Sequence, residues 1–400
     1  MEKYKFFTFI GSILIFFWFS GFIFVSLISD IFGRLIDGFI FLYVFLAFFS
    51  FKMWELKLSK ILLFVFLSFF LLIFFSALRD YYLGWYNHYT LELYFKTIYY
   101  SFISFLFSYT FYIVVSKRAE LLSFFSKILA YLACLFTILF FIYFLSLGWR
   151  VGNSLIYMSF GEHYQGMSRV FGLFFIILLF LRKYLNKFLF ILSVFLCLIL
   201  IFSFNSFGVF FSLLVVMVYW LTRIFNIKVV VGLAVLFLSL YFVVSNSNLM
   251  DLDLINDLIN RGSGKLDGGA IQDSRSWLFS KSIELWLLNS LNFIFGPGPI
   301  QYACYVGYCV EYRHPHNSIM LLVTWFGLFA IPYIIFLIFT YFIILKNYFY
   351  SIKVEIVFIS SLTLYYLLLS LIGGDIEQNR FLLFLIPFIY CFFRKNGLKS

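Results

Sequence analysis

Residues 318–345 read SIMLLVTWFGLFAIPYIIFLIFTYFIIL, with Tyr312-Arg313-His314-Pro315-His316-Asn317 directly before them and Lys346 directly after. No charged side chain interrupts the run, and it is longer than the roughly 18 residues at which an apolar segment reads as a membrane span. Similar runs, each closed by charges, recur along the whole chain. With 64% hydrophobic and 25% aromatic residues against 12% charged, a 400-residue chain holds more apolar surface than one soluble core can hide. Helices are expected rather than a barrel, because barrel strands would alternate in segments of about ten residues. The reading is therefore an all-α, polytopic membrane protein of about 12 transmembrane helices, with spans near 6–28, 35–51, 58–77, 94–115, 121–147, 168–181, 187–204, 206–222, 228–245, 318–345, 353–372 and 380–393. Residues 1–245 carry spans one to nine. Residues 318–400 carry spans ten to twelve and a tail. The first span runs over twenty residues without a small-residue cleavage site, so it is expected to stay as a helix.

Between spans nine and ten lies 246–317, far longer than any other connection. Basic residues decide its side. Lys and Arg cluster on alternate connections, among them Lys52, Lys57, Lys60, Arg182, Lys183, Lys187 and Arg394, and these hold eighteen of the 29 basic residues. The opposite side holds fourteen of the eighteen acids and the long loop. The positive-inside rule makes the first side cytoplasmic, with both termini there, and the loop external. The net charge of +11 thus reports membrane topology rather than nucleic-acid binding.

The external segment carries the polar chemistry. Leu249, Leu252, Ile255, Leu258 and Ile259 recur at helical spacing, as do Trp277, Ile283, Trp286, Leu287 and Phe293 over 275–295. Both stretches are expected to be amphipathic helices, lying at the lipid headgroups or packed on the loop itself. Gly262, Gly264, Gly268 and Gly269 separate them as a hinge. Phe295-Gly296-Pro297-Gly298-Pro299 follows as a rigid turn. Cys304 and Cys309 sit five apart, spacing that permits a local disulfide in an oxidising compartment, while Cys134, Cys197 and Cys391 fall in or beside spans as small buried residues.

His314 and His316, beside Arg313 and Asn317, make the densest polar group in the chain. No Cys or Glu stands at metal-ligand spacing from them, so neither a zinc site nor another metal or cofactor is expected. Arg169 opens span six in Gly166-Met167-Ser168-Arg169-Val170-Phe171-Gly172, and Arg275 opens the second external helix in Asp273-Ser274-Arg275-Ser276-Trp277. Arginine's planar fork suits phosphate oxygens, and Gly166 and Gly172 are expected to leave room for a ligand. Arg34, Arg79 and Arg150 read as interfacial anchors, and Arg79-Asp80 as neighbouring charges at a loop end that pair or stay solvated. Glu377 and Arg380 open the last span.

This pattern resembles the O-antigen polymerase and ligase family of the bacterial envelope: an arginine and glycines opening a middle span, a large external loop with Arg-x-Trp, Gly-Pro-Gly, and His-x-His-Asn leading into a helix with Trp325-Phe326-Gly327. The specific motifs cover about 166–172 and 273–327. What the resemblance implies is a GT-C-like membrane glycosyltransferase of the bacterial inner membrane, acting at the periplasmic face on undecaprenyl-pyrophosphate-linked oligosaccharides. A flippase and a chain-length regulator are implied partners. Arg169 and Arg275 would hold the donor pyrophosphate and His316 would orient or deprotonate the acceptor hydroxyl. Arg313, His314, Asn317 and Arg380 would line the substrate, with Asn317 fixing the loop end. Relatives often carry a Ser/Thr-Arg pair where this chain reads Ser203-Phe204-Asn205-Ser206-Phe207-Gly208, without arginine, and the expectation leans to the polymerase over the ligase. The competing class is a lipid-linked sugar flippase, which would need ionisable residues within spans or broken helices in paired halves.

Overall fold

The computed structural model describes residues 1–20, 30–52, 60–84, 88–146, 164–204, 207–224, 275–307, 315, 317–350, 354–373 and 376–396. Among these the chain is helical throughout. Helices α1 (Glu2–Phe19), α2 (Asp30–Ser50), α3 (Lys60–Tyr82), α4 (His88–Ser116), α5 (Ala119–Ser146), α6 (Tyr164–Phe180), α7 (Lys187–Phe204) and α8 (Phe207–Ile224) form the first group. Three shorter helices follow, α9 (Arg275–Leu287), α10 (Ser290–Phe295) and α11 (Pro299–Tyr305), then α12 (Ser318–Phe326), α13 (Ile331–Tyr350), α14 (Val354–Gly373) and α15 (Ile376–Asn396). Among the described residues, five segments are long and apolar enough to cross a membrane: Leu63–Tyr82, Leu91–Ser116, Glu120–Ser146, Ser318–Lys346 and Val354–Ile372. The expected ninth span, 228–245, and the first amphipathic segment, 249–259, lie outside the described residues.

A central helix organises the bundle. In α6, Met167, Val170, Phe171 and the run Leu173–Leu181 are all buried, the pattern of a helix surrounded by others. Its neighbours α1, α5, α7, α8 and α14 contribute to the same core, which extends to α4 and α15. Lipid tails are as apolar as leucine, so these helices associate through close packing rather than escape from water. Phenylalanine supplies that packing: Phe16 stacks on Phe174 at 5.2 Å, and Trp18 sits edge-on to Phe107, Phe381 and Phe384. Each such pair adds about 0.5–1.5 kcal/mol beyond burial. Several hydroxyls inside the helices turn back on their own backbone, as Thr8 does to Tyr4 O and Thr137 to Ala133 O, which satisfies them within the helix.

The apolar run 318–345 is continuous in hydropathy but broken in backbone. Helix α12 ends at Gly327, which has φ 57° and ψ −132°, a conformation open only to glycine, and a 3-10 turn (Gly327–Ala330) precedes α13. α12 is about 13 Å long and does not by itself cross a bilayer of roughly 30 Å. α13 then packs along α3, with Tyr333 donating to Ser68 Oγ at 2.7 Å and resting edge-on against Phe69.

The segment expected to lie at the headgroups divides in two. α9 packs inward on α11 through Leu278, Leu285, Tyr302 and Val306. The following Leu287, Leu288, Leu291 and Phe295 remain exposed. Asn289 caps α10 by accepting from Asn292 N, and Trp286 stacks on Phe293 at 5.3 Å while donating to its carbonyl. Cys304 is disulfide-bonded, whereas Cys134, Cys197 and Cys391 are free and buried. Cys309 lies outside the described residues.

Candidate functional site

The C-terminal end of α14 gathers the ends of several helices. Asn317 is the N-cap of α12: its Oδ1 accepts from Ile319 N at 2.9 Å and Met320 N at 3.1 Å. Its Nδ2 donates to Leu371 O at 2.8 Å, and Ser318 Oγ donates to Ser370 O at 2.9 Å. The loop end is thus pinned to the last turn of α14. Two turns earlier on the same helix, Tyr365 donates to the carbonyl of Arg169 at 2.9 Å. Gly208, in the first turn of α8, packs on Ile372. Arg169 and Asn317, far apart in sequence, therefore hang on one helix, with the start of α8 beside them. α6, α8 and α12 all begin near this point, and the partial positive charge of helix N-termini favours anions.

Arg169 is half-buried in the second turn of α6. The room expected beside Gly172 is filled: a Cβ there would meet Tyr365 Oη at 2.1 Å and Val209 at 3.0 Å, so this glycine serves helix packing rather than a ligand. Arg275 opens α9, and Arg380 lies in the second turn of α15, which begins after a short connection from α14. Arg313, His314 and His316 lie outside the described residues, while Pro315 between the histidines is buried.

A second cluster was not anticipated. Arg79 and Asp80, read as an anchor with a solvated or paired neighbour, form an inward-facing ion pair at 2.7 Å, with side chains only 12% and 1% exposed. Arg79 Nε and Nη2 both donate to Asp80 Oδ1, and Nη2 also donates to Ser76 Oγ at 3.0 Å. Nη1 donates to Phe295 O at 2.8 Å, Gly296 O at 2.6 Å and Trp325 O at 3.3 Å. Asp80 Oδ2 accepts from Tyr94 Oη at 2.7 Å. The Gly-Pro-Gly turn and the Trp-Phe-Gly break are two sides of one junction. Gly298 N donates to Thr324 O at 2.9 Å, and a Cβ on Gly327 would meet Gly296 N at 2.4 Å. Residues 296–299 are accordingly buried. The sequence signal was slight: one charge pair closing an apolar helix, with partners 216 residues away.

α12 bridges these two sites, tied at its start to α14 and at its end to α3. Beside the junction a groove of about 530 Å³ opens between Leu72, Phe75, Leu291, Phe295 and Phe329, with Arg79 at its rim. On the other side of α12 an apolar cleft of about 130 Å³ runs between α3, α4, α13 and α15, past Ser101, Ser318 and Pro387. On α9, Glu284 receives Lys281 Nζ at 2.5 Å and, from α11, Tyr305 Oη at 3.2 Å. The hydrogen bond from Lys281 holds the Glu284 carboxyl below its ordinary range. Burial pushes the Tyr302 phenol up to about 12. At the opposite end of α14, Glu355 in its first turn takes Lys183 Nζ at 2.7 Å and Tyr184 Oη.

Compared with known family models, curated proteins and solved structures, the chain matches none.

Proposed function

We propose that the chain is a membrane glycosyltransferase that joins lipid-linked oligosaccharide repeat units at the outer face of a bacterial inner membrane, an O-antigen type polymerase. The observation that carries this reading is the tie of both Asn317 and the Arg169 carbonyl to α14. It brings two separated motifs of the sequence to one helix end, where α6 and α8 also begin.

In the proposed reaction a hydroxyl of one lipid-linked unit attacks the anomeric carbon of the growing chain on a second carrier. The new glycosidic bond forms as the bond to pyrophosphate breaks. Undecaprenyl pyrophosphate leaves with the electron pair, and the hydroxyl proton passes to His316. Arg169 and Arg275 hold the diphosphate, whose charge grows as the bond breaks, a task suited to donors fixed beforehand. A histidine titrates near neutral pH and so serves as the base. Asn317 contributes by capping α12, which fixes the backbone that follows His316.

The break between α12 and α13 favours a second reading, since interrupted helices are a feature of transporters. Against it, the pairing of broken helices in two halves has no counterpart among the described residues. The test is the lipopolysaccharide pattern of a deletion strain complemented with wild type or His316→Ala. Core carrying a single repeat unit in the deletion, with no ladder restored by His316→Ala, is the expected result. Bare core with polymer left on the carrier would mean a ligase. Repeat units held at the cytoplasmic face would mean a transporter, and an unchanged ladder would remove all three.

A further inference from the structure

We infer that Arg79 is a positioning residue, clamping the Gly296–Gly298 turn to the break at Gly327 so that α12 is held at its far end as Asn317 holds it at its near one. The inference rests on the reading above for the part of α12 in the reaction, but the clamp itself is a matter of geometry. All five N–H groups of the guanidinium are engaged within the protein: two on Asp80, one on Ser76, and the Nη1 pair shared among the carbonyls of Phe295, Gly296 and Trp325. None is left for a phosphate, and Asp80 neutralises the charge. This arginine therefore does not bind substrate.

Its partners come from three places in the chain: the end of α3, the turn after α10 and the end of α12. The planar fork is what lets one side chain reach all three, and a lysine offers a single point of charge instead. Asp80 is oriented in turn by Tyr94, whose hydroxyl also contacts Ser76 Oγ at 3.0 Å. A helix of this length pinned at both ends has no freedom to swing. Releasing one end tilts it about the other, and misplacement of about 1 Å at a reacting group costs on the order of 100-fold in rate.

The test uses the full-length protein in lipid, with spin labels at Tyr82→Cys and Leu291→Cys, two exposed positions on either side of the clamp. One narrow distance is expected with Arg79 present, and a distribution at least about twice as broad in Arg79→Lys, since the fork is lost. Tyr94→Phe, which removes only one hydroxyl, is the milder variant should Arg79→Lys fail to insert, and it too broadens the distance. Unchanged distributions overturn the clamp. In vesicles supplied with lipid-linked repeat units, Arg79→Lys lowers kcat by at least about tenfold and leaves KM within about twofold. A full rate despite a broadened distance, or a loss confined to KM, overturns the positioning role. If wild-type vesicles extend no chain, the proposed function fails and the distance measurement decides the clamp alone.

Discussion

Asp80 is the residue at which burial and charge conflict most sharply. Its carboxylate is almost wholly enclosed, and it is tolerated because Arg79 and Tyr94 both donate to it. Removing one partner of such a pair leaves the other charge buried alone, which costs about 3–5 kcal/mol. Asp80→Ala is therefore expected to lower the melting temperature in detergent far more than Glu284→Gln, whose carboxylate is exposed on α9. Equal shifts for the two variants would mean that Arg79 is not held as described. Asn317 shows a gentler balance. Asn317→Ala loses a cap worth about 1 kcal/mol, together with the bond to Leu371 O. Asn317→Ser keeps a capping oxygen and is too short to reach Leu371 O, so it should melt between wild type and Asn317→Ala. A serine variant no better than alanine would assign the stabilisation to the α14 contact instead.

Among the elements, α12 and the turn after α10 are inseparable, because the backbones of Gly296 and Gly327 touch. Each glycine has a positive φ, and a Cβ on either meets the other's main chain. Gly327→Ala and Gly296→Ala should each strongly reduce folded protein, and the double variant should be little worse than either alone, since the first substitution already parts the two segments. Fully additive losses, read from the level of folded protein in membranes, would show two independent strains rather than one junction. Periodicity and turn residues did reveal α9 and the Gly-Pro-Gly turn. They did not reveal that this turn packs on Trp325-Phe326-Gly327, because hydropathy carries no information about which distant backbone fills a glycine's missing side chain.

For the whole molecule, the decisive prediction is topological. Glu355 pairs with Lys183 at the start of α14, while Asn317 joins its end, so the two clusters lie at opposite ends of one apolar helix long enough to cross a membrane. Alkaline phosphatase fused after Tyr305 should be active and fused after Lys183 inactive, as the positive-inside rule requires. The reverse pattern would put the proposed site on the cytoplasmic side. The sequence by itself determined that the chain is a helical membrane protein, because long uncharged apolar runs leave the backbone no other way to satisfy its polar groups in lipid. That Asn317 would fix the loop end was implied only by the family resemblance. Only the tertiary structure decided that run 318–345 breaks at Gly327, that Tyr365 fills the space beside Gly172, and that Arg79 faces inward. Each depends on a contact between residues remote in the chain, and local composition does not encode which remote surface a side chain will meet.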